Sequence, residues 1–238
     1  MPKVHLAKPH RTAAGPVWAA SLMCADPLHL ADELDKLQEA GLDRWHYDVM
    51  DGHFVPNLTM GPDLLSRIRE YSPLPIDVHL MVERPEDWVP IFARAGAHRI
   101  YFHVESTRSP HRLAQLIREL GCEPAVAINA ATPLAVLESL VPLVEGVLFM
   151  TVDPGFAGQP LITSVTGKIE TFLRTGIADR LSVGADGHID PETARTLVGL
   201  GVDHLVLGTA SLFRRDRTYI EAMRRLRAIL DAKEEPDR

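Results

Sequence analysis

Eight short apolar runs, rich in β-branched or aromatic residues, recur along the chain with longer amphipathic stretches between them. They are VWAASLM from Val17, RWHYDVM from Arg44, PIDVHLM from Pro75, RIYFHVE from Arg99, AVAIN from Ala125, GVLFMTV from Gly146, RLSVGA from Arg180 and DHLVLG from Asp203. Several are apolar on both alternating faces, the pattern of parallel strands covered by helices. The stretches between them carry helix signals. Asp26-Pro27, Ser109-Pro110, Thr132-Pro133 and Asp190-Pro191 each set a capping side chain ahead of a proline that has no N–H to leave unpaired. After Asp26, Leu30, Leu34 and Leu37 form one helical stripe that stops at Gly41, and Gly121 and Gly201 end two of the other runs. RPEDWVPIFARAG behaves likewise up to Gly96, with Pro90 weakening its middle.

Eight βα units in 238 residues predict a single-domain α/β protein, a (β/α)8 barrel. A doubly wound open sheet would need fewer strands and a glycine-rich first turn, and that turn reads CADP. The barrel is expected over residues 15–232, with a mobile tail over 1–14 and a frayed one over 233–238. The start of the chain, basic and then apolar, has something of a leader peptide. Pro16 interrupts the apolar stretch, however, and residues 17–24 read as the first strand.

Composition narrows the partners. A net charge of −7 argues against nucleic acid and against an anionic membrane surface. No apolar run approaches the roughly 18 residues of a membrane span. The two cysteines, Cys24 and Cys122, have no metal-type spacing and read as small buried hydrophobes of a cytoplasmic protein.

Candidate chemistry gathers at the strand ends, where a barrel of this kind carries its active site. In RWHYDVM, period two puts His46 and Asp48 on one face and Trp45, Tyr47 and Val49 on the other. Ser21, Asp77, His79, His103, Glu105, Asn129 and Asp186 stand on the other expected strand ends. Alone, an HxD pair more often marks a structural hydrogen bond. Together, two His and two Asp from strands two, three and seven suit one divalent cation, Zn, Fe, Mn or Co. GFAGQ after strand six and GTAS after strand eight offer glycine backbone and helix-start N–H groups to a phosphate. Lys3, Lys8, Lys36, Lys168 and Lys233 are the chain's lysines, and none ends a strand, which disfavours Schiff-base chemistry. A cation and two carboxylates approaching one carbon from opposite sides suit epimerisation next to a carbonyl, Asp48 and Asp186 exchanging acid and base roles.

HYDVMDGHFVPN, DVHLMV, MTVDPGFAGQ and ADG resemble the ribulose-phosphate 3-epimerase family, over about Val17 to Phe213. Within it, SLMCAD, NLT, RAGA, VDPGFAGQP and GTASLF look most similar to the allulose-6-phosphate 3-epimerase group. The resemblance implies a TIM barrel that holds one divalent metal through His46, Asp48, His79 and Asp186, with Asp48 and Asp186 as the proton-transfer pair. It implies a phosphorylated ketose substrate, ribulose 5-phosphate or allulose 6-phosphate, epimerised at C3 through an enediolate. Ser21, His46 and His79 would touch the sugar. Gly155, Phe156, Ala157, Gly158, Gly208 and Thr209 would hold the phosphate, with Gly187 and His188 at the same end. Met50, Met81 and Met150 would line the metal site, and a homo-oligomer is implied as well. The chain departs from the common family pattern at His188, where DGG is usual, at Asn129, where many have Lys, and at Ala20, where Pro is common. His53 matches the family without an assigned role. A sugar-phosphate lyase or decarboxylase, and a non-catalytic sugar-phosphate sensor, are the alternatives on the same barrel.

Overall fold

A computed structural model describes residues 15–231; the expected tails over 1–14 and 233–238 lie outside the described residues. The eight strands form one closed parallel barrel in sequence order. They are β1 (Val17–Ser21), β2 (Arg44–Met50), β3 (Ile76–Met81), β4 (Arg99–His103), β5 (Glu123–Ile128), β6 (Gly146–Met150), β7 (Ser182–Asp186) and β8 (His204–Leu207). Closure comes from β8 pairing with β1, as Val17 meets His204 and Ala20 meets Leu207. Seven α-helices lie among the described residues: α1 (Leu30–Glu39), α2 (Pro62–Tyr71), α3 (Pro85–Ala95), α4 (Pro110–Glu119), α5 (Ser164–Arg174), α6 (Pro191–Leu200) and α7 (Tyr219–Asp231).

The four Asp/Ser/Thr-Pro signals met different fates. At Asp190 the carboxylate accepts from the Thr193 N–H at 2.7 Å and α6 starts at Pro191, as the sequence predicts. Ser109 stands ahead of Pro110 and α4, but its side chain makes no capping bond. Asp26 turns the chain early: its carboxylate takes the Leu28 N–H and the His29 ring, and α1 begins only at Leu30. The run after Thr132-Pro133 is no α-helix; it forms two short 3-10 turns, Leu134–Leu137 and Val141–Leu143. Pro142 cuts the run to eight residues after Pro133, too short for a stable α-helix. Gly96 and Gly201 end α3 and α6 with φ of 109° and 111°, the left-handed cap that glycine adopts without strain.

The strand faces divide as period two requires. Trp45, Tyr47 and Val49 point outward and pack with Leu37, Leu65, Phe92 and Ile100 in the continuous layer between barrel and helices. A smaller apolar cluster of Ala19, Tyr101, Ala125, Ala127, Leu148, Met150 and Val206 fills the lumen. Three of the seven are alanines, which leaves room in the lumen for the polar side chains of β2, β3 and β4. One expected strand-end residue is displaced. Asp77 belongs to the opposite, N-terminal end of the barrel, where Arg44 binds it at 2.7 Å. Two residues along β3 span a whole layer of the lumen, so only His79 reaches the far end.

Candidate active site

Parallel register sets the site. β2 and β3 pair with Asp48 beside His79, β1 and β2 with Ser21 beside His46, and β6 and β7 with Met150 beside Asp186. Each of these side chains therefore faces the lumen, Ser21, Met150 and Asp186 from the last residue of a strand, Asp48 and His79 from two residues before it and His46 from four. One donor atom from each of His46, Asp48, His79 and Asp186 lies within 4.8 Å of the other three. His46 Nε2 is 3.2 Å from His79 Nδ1, 3.3 Å from Asp48 Oδ1 and 3.5 Å from Asp186 Oδ2. His79 Nδ1 is 3.3 Å and 3.5 Å from the same two oxygens. Metal–ligand bonds of roughly 2 Å in a tetrahedron put neighbouring donors roughly 3.3 Å apart, so this donor set fits a divalent cation in spacing and in chemistry.

Electrostatics agrees. Burial works against a charged imidazole at His46, yet the Asp48 charge and the bonds to Asp186 and Asp48 outweigh it and raise its pKa to about 10. His79 is also raised, against its burial, by the same two carboxylates. Burial would lift both aspartates, but the two imidazoles hold Asp48 and Asp186 below the ordinary carboxylate range. Two carboxylates buried around one point attract positive charge, and a cation there competes with the protons.

Above this cluster opens a cavity lined by Ser21, Asp48, Met50, Met81, Met150 and Asp186 on one side. Gly155–Gly158, Gly187, His188, Gly208, Thr209 and Arg214 line the other. Every expected site residue reaches it except His46 and His79, which are fully buried below its floor. Ser21 Oγ donates to Asp48 Oδ2 at 2.7 Å, leaving Oδ1 toward the donor cluster. Met50 and Met81 pack with Val55, Met23 and Phe54 as an apolar collar. Burial pushes the Cys24 thiol up to about 12, so Cys24 is an inert wall of the cavity.

The glycine loops are free-standing turns and not helix starts, since α5 begins at Ser164 and α7 at Tyr219. The N–H groups of Ala157 and Gly158 donate to no backbone carbonyl among the described residues. Asn57 Nδ2 holds the Gly155 carbonyl at 2.8 Å, and His188 Nδ1 donates to the Gln159 carbonyl at 2.8 Å. Gly187 has a φ of 108°, and a Cβ there would come within 2.5 Å of Val152. Only glycine fits that turn. His188 keeps a φ of 47°, a conformation few side chains adopt.

Sequence reasoning missed Arg214, a guanidinium on the cavity wall just past GTASLF. It also missed Lys168. From α5, Lys168 Nζ reaches the Asn129 and Ala130 carbonyls at 2.8 and 3.2 Å, and that of Thr132. The helix position was legible; the reach of a four-carbon stem to the end of β5 was not.

Comparison with known proteins decides the family. The ribulose-phosphate 3 epimerase family profile matches residues 17–212. The chain belongs to the ribulose-phosphate 3-epimerase family. It is therefore an isomerase. A ribulose-phosphate 3-epimerase of Bacillus subtilis is 41% identical over 204 residues, 84% of this chain and 93% of that protein. One from Methanocaldococcus jannaschii is 40% identical, covering 86% of this chain and 88% of its own length. Among solved structures, a mutant tryptophan synthase alpha-subunit from Pyrococcus furiosus superposes with a TM-score of 0.65 at 13% identity. That match covers 92% of this chain and 98% of the other, a likeness of fold alone. Among the described residues no helix is long and apolar enough to cross a membrane.

Proposed function

We propose that this epimerase-family chain inverts C3 of a phosphorylated pentulose, interconverting ribulose 5-phosphate and xylulose 5-phosphate. The observation that carries the reading is the convergence of His46, Asp48, His79 and Asp186 on one point below a cavity whose far wall is glycine backbone. A divalent cation held there supplies Lewis-acid stabilisation of the oxyanion that develops next to C3. Asp48 and Asp186 come from β2 and β7, which two other strands separate on one side of the barrel and four on the other. Asp48 takes the C3 proton from one face to leave an enediolate, and Asp186 returns a proton to the other face; the roles exchange with direction. Ser21 anchors the Asp48 carboxylate for this work. Met50, Met81 and Met150 keep water away from the carbon that carries the charge. Gly155–Gly158, Gly208 and Thr209 take the phosphate on backbone N–H groups, with His188 and Arg214 at the same end.

Replacing Asp48 with Asn tests the assignment. Exchange of the C3 proton with solvent deuterium should vanish while inorganic phosphate still binds the glycine loops. Undiminished exchange would refute the role. A six-carbon ketose 6-phosphate is the second substrate reading, favoured by SLMCAD, NLT and GTASLF. Kinetics on five- and six-carbon substrates side by side separate the two. A lyase reading draws no support from Lys168, whose ammonium is engaged by three backbone carbonyls outside the cavity.

A further inference from the structure

Behind His79 a line of polar groups continues away from the cavity. His103, at the end of β4, sets its Nε2 2.9 Å from His79 Nε2, the two rings stacked with centroids 5.0 Å apart. On its other edge His103 Nδ1 lies 3.4 Å from Glu105 Oε2. That contact is long for a hydrogen bond. Nδ1 is buried and makes no hydrogen bond of good geometry among the described residues, and Glu105 carries the one carboxylate within 4 Å of it. Glu105 is itself fixed: its Oε1 accepts from the Asn129 N–H at 2.8 Å and from Thr132 Oγ1. Lys168 clamps the same loop by three carbonyls. Neither His103 nor Glu105 lines the cavity.

Proton placement along this line admits one solution. A nitrogen that binds a cation carries no proton, so His79 Nδ1, facing Asp48 and Asp186, leaves its proton on Nε2. That N–H points at His103 Nε2, which must then be bare. The His103 proton is therefore on Nδ1, toward Glu105. A carboxylate only accepts, so Glu105 sets the whole order from the far end. A carboxylate behind a ligating imidazole orients the ring and raises its basicity; here a second imidazole carries the effect one ring further.

We infer that Glu105 and His103 are positioning residues that act through His79, holding it as an Nδ1 ligand at the centre of the site. The inference rests on reading the His46, Asp48, His79 and Asp186 cluster as a metal site. His46 has no comparable support: apart from Asp48 and Asp186 at its Nε2, no carboxylate lies within 4 Å of its ring among the described residues, and its outer Nδ1 is buried and unpartnered. Ligand orientation is thus controlled from the β4 side.

The test uses Glu105→Gln and two changes at His103, with Zn(II) or Co(II) alone as the probe. In Glu105→Gln the amide oxygen can keep the Asn129 and Thr132 bonds, but its NH2 faces His103 Nδ1. The His103 proton must then move to Nε2, against the His79 N–H. Metal affinity, from chelator competition, should fall on the order of 10–100-fold, while the melting temperature of metal-free protein stays near that of the parent. His103→Gln rebuilds the line, its carbonyl accepting from His79 and its NH2 donating to Glu105, and should bind metal nearly as the parent does. His103→Leu should not. Histidine nitrogen NMR of the zinc-loaded parent should find the His79 proton on Nε2 and the His103 proton on Nδ1. Parental affinity in both Glu105→Gln and His103→Leu, or a His79 proton on Nδ1, would overturn the inference. Failure of the parent protein to bind either metal would remove the metal reading, and this inference with it.

Discussion

The two ends of the barrel lumen both bury charge, and they settle it in opposite ways. At the N-terminal end Arg44 binds Asp77 at 2.7 Å and Arg99 binds Glu123 at 2.6 Å. Arg99 also reaches the Tyr101 hydroxyl at 3.1 Å. Two permanent cations answer two carboxylates. At the C-terminal end the ion-pair partners of Asp48 and Asp186 among the described residues are His46 and His79, which carry positive charge only when protonated. The same residue type responds in opposite senses: His46 is raised to about 10, while His204, at the arginine end, is pushed well below its ordinary value. An end that neutralises itself is scaffold. An end whose two negative charges are answered only by imidazole protons, which a cation can displace, is a site.

The largest effect that would break this contrast comes from Asp186→Asn. If Asp186 moves protons, turnover should drop by roughly 10²–10⁴-fold, and the metal-free fold should lose some stability at neutral pH, because His46 and His79 hold the Asp186 carboxylate below its ordinary range. Activity within tenfold of the parent would sink the assignment. The matching change at the other end is Arg44→Met. It strands the fully buried Asp77 carboxylate and should cost about 3–5 kcal/mol in urea unfolding, with turnover of the folded fraction unchanged.

A slightly smaller effect separates the ends by ligand. Zn(II) or Co(II) at about a hundred times its dissociation constant should stabilise the parent protein by about 2.7 kcal/mol. Arg44→Met should keep that increment and Asp186→Asn should lose most of it. An equal increment in both variants would mean that the cation binds elsewhere.

How much of this was legible in the sequence follows from which interactions are local. Strand faces were, because period two is a property of the backbone, and so His46 and Asp48 fell together against Trp45 and Tyr47. The four-residue cluster was legible through the family motifs and through barrel topology, which brings strand ends together. Asp77 was misplaced to the site end: a polar residue on a lumen face does not state its layer, and only the register against Arg44 and Arg99 does. Thr132-Pro133 promised an α-helix because capping signals are local, whereas the rest of the β5–β6 connection is broken by Pro142 into two 3-10 turns. Lys168 and Arg214 could not be found from spacing, since long side chains act several residues from where they are anchored. His103 and Glu105 were visible as strand-end polar residues, but their order behind His79 is a matter of ring geometry.

The smallest prediction concerns pH at the arginine end. His204 is buried, and Arg99, Arg44 and His46 further oppose its protonation. Asp77 Oδ2, 3.8 Å from His204 Nε2, pulls the other way and loses, because Arg44 already engages that carboxylate. Tyr101, edge-on to the His204 ring, adds no charge at neutral pH. The folded-state pKa therefore lies below the unfolded value near 6.5. Above that value neither state binds the proton. Below it the unfolded chain takes a proton that the fold excludes, so stability falls as pH falls. One such group contributes up to about 1.4 kcal/mol per pH unit in that window. Urea unfolding of parent and His204→Gln in chelator, at pH 7.5 and 5.5, isolates the effect, because titration at the other end is common to both proteins. The parent should lose about 1 kcal/mol more than the variant over that interval. Equal losses would mean that His204 accepts its proton in the fold, and that the arginine end is not the closed system of charges its geometry describes.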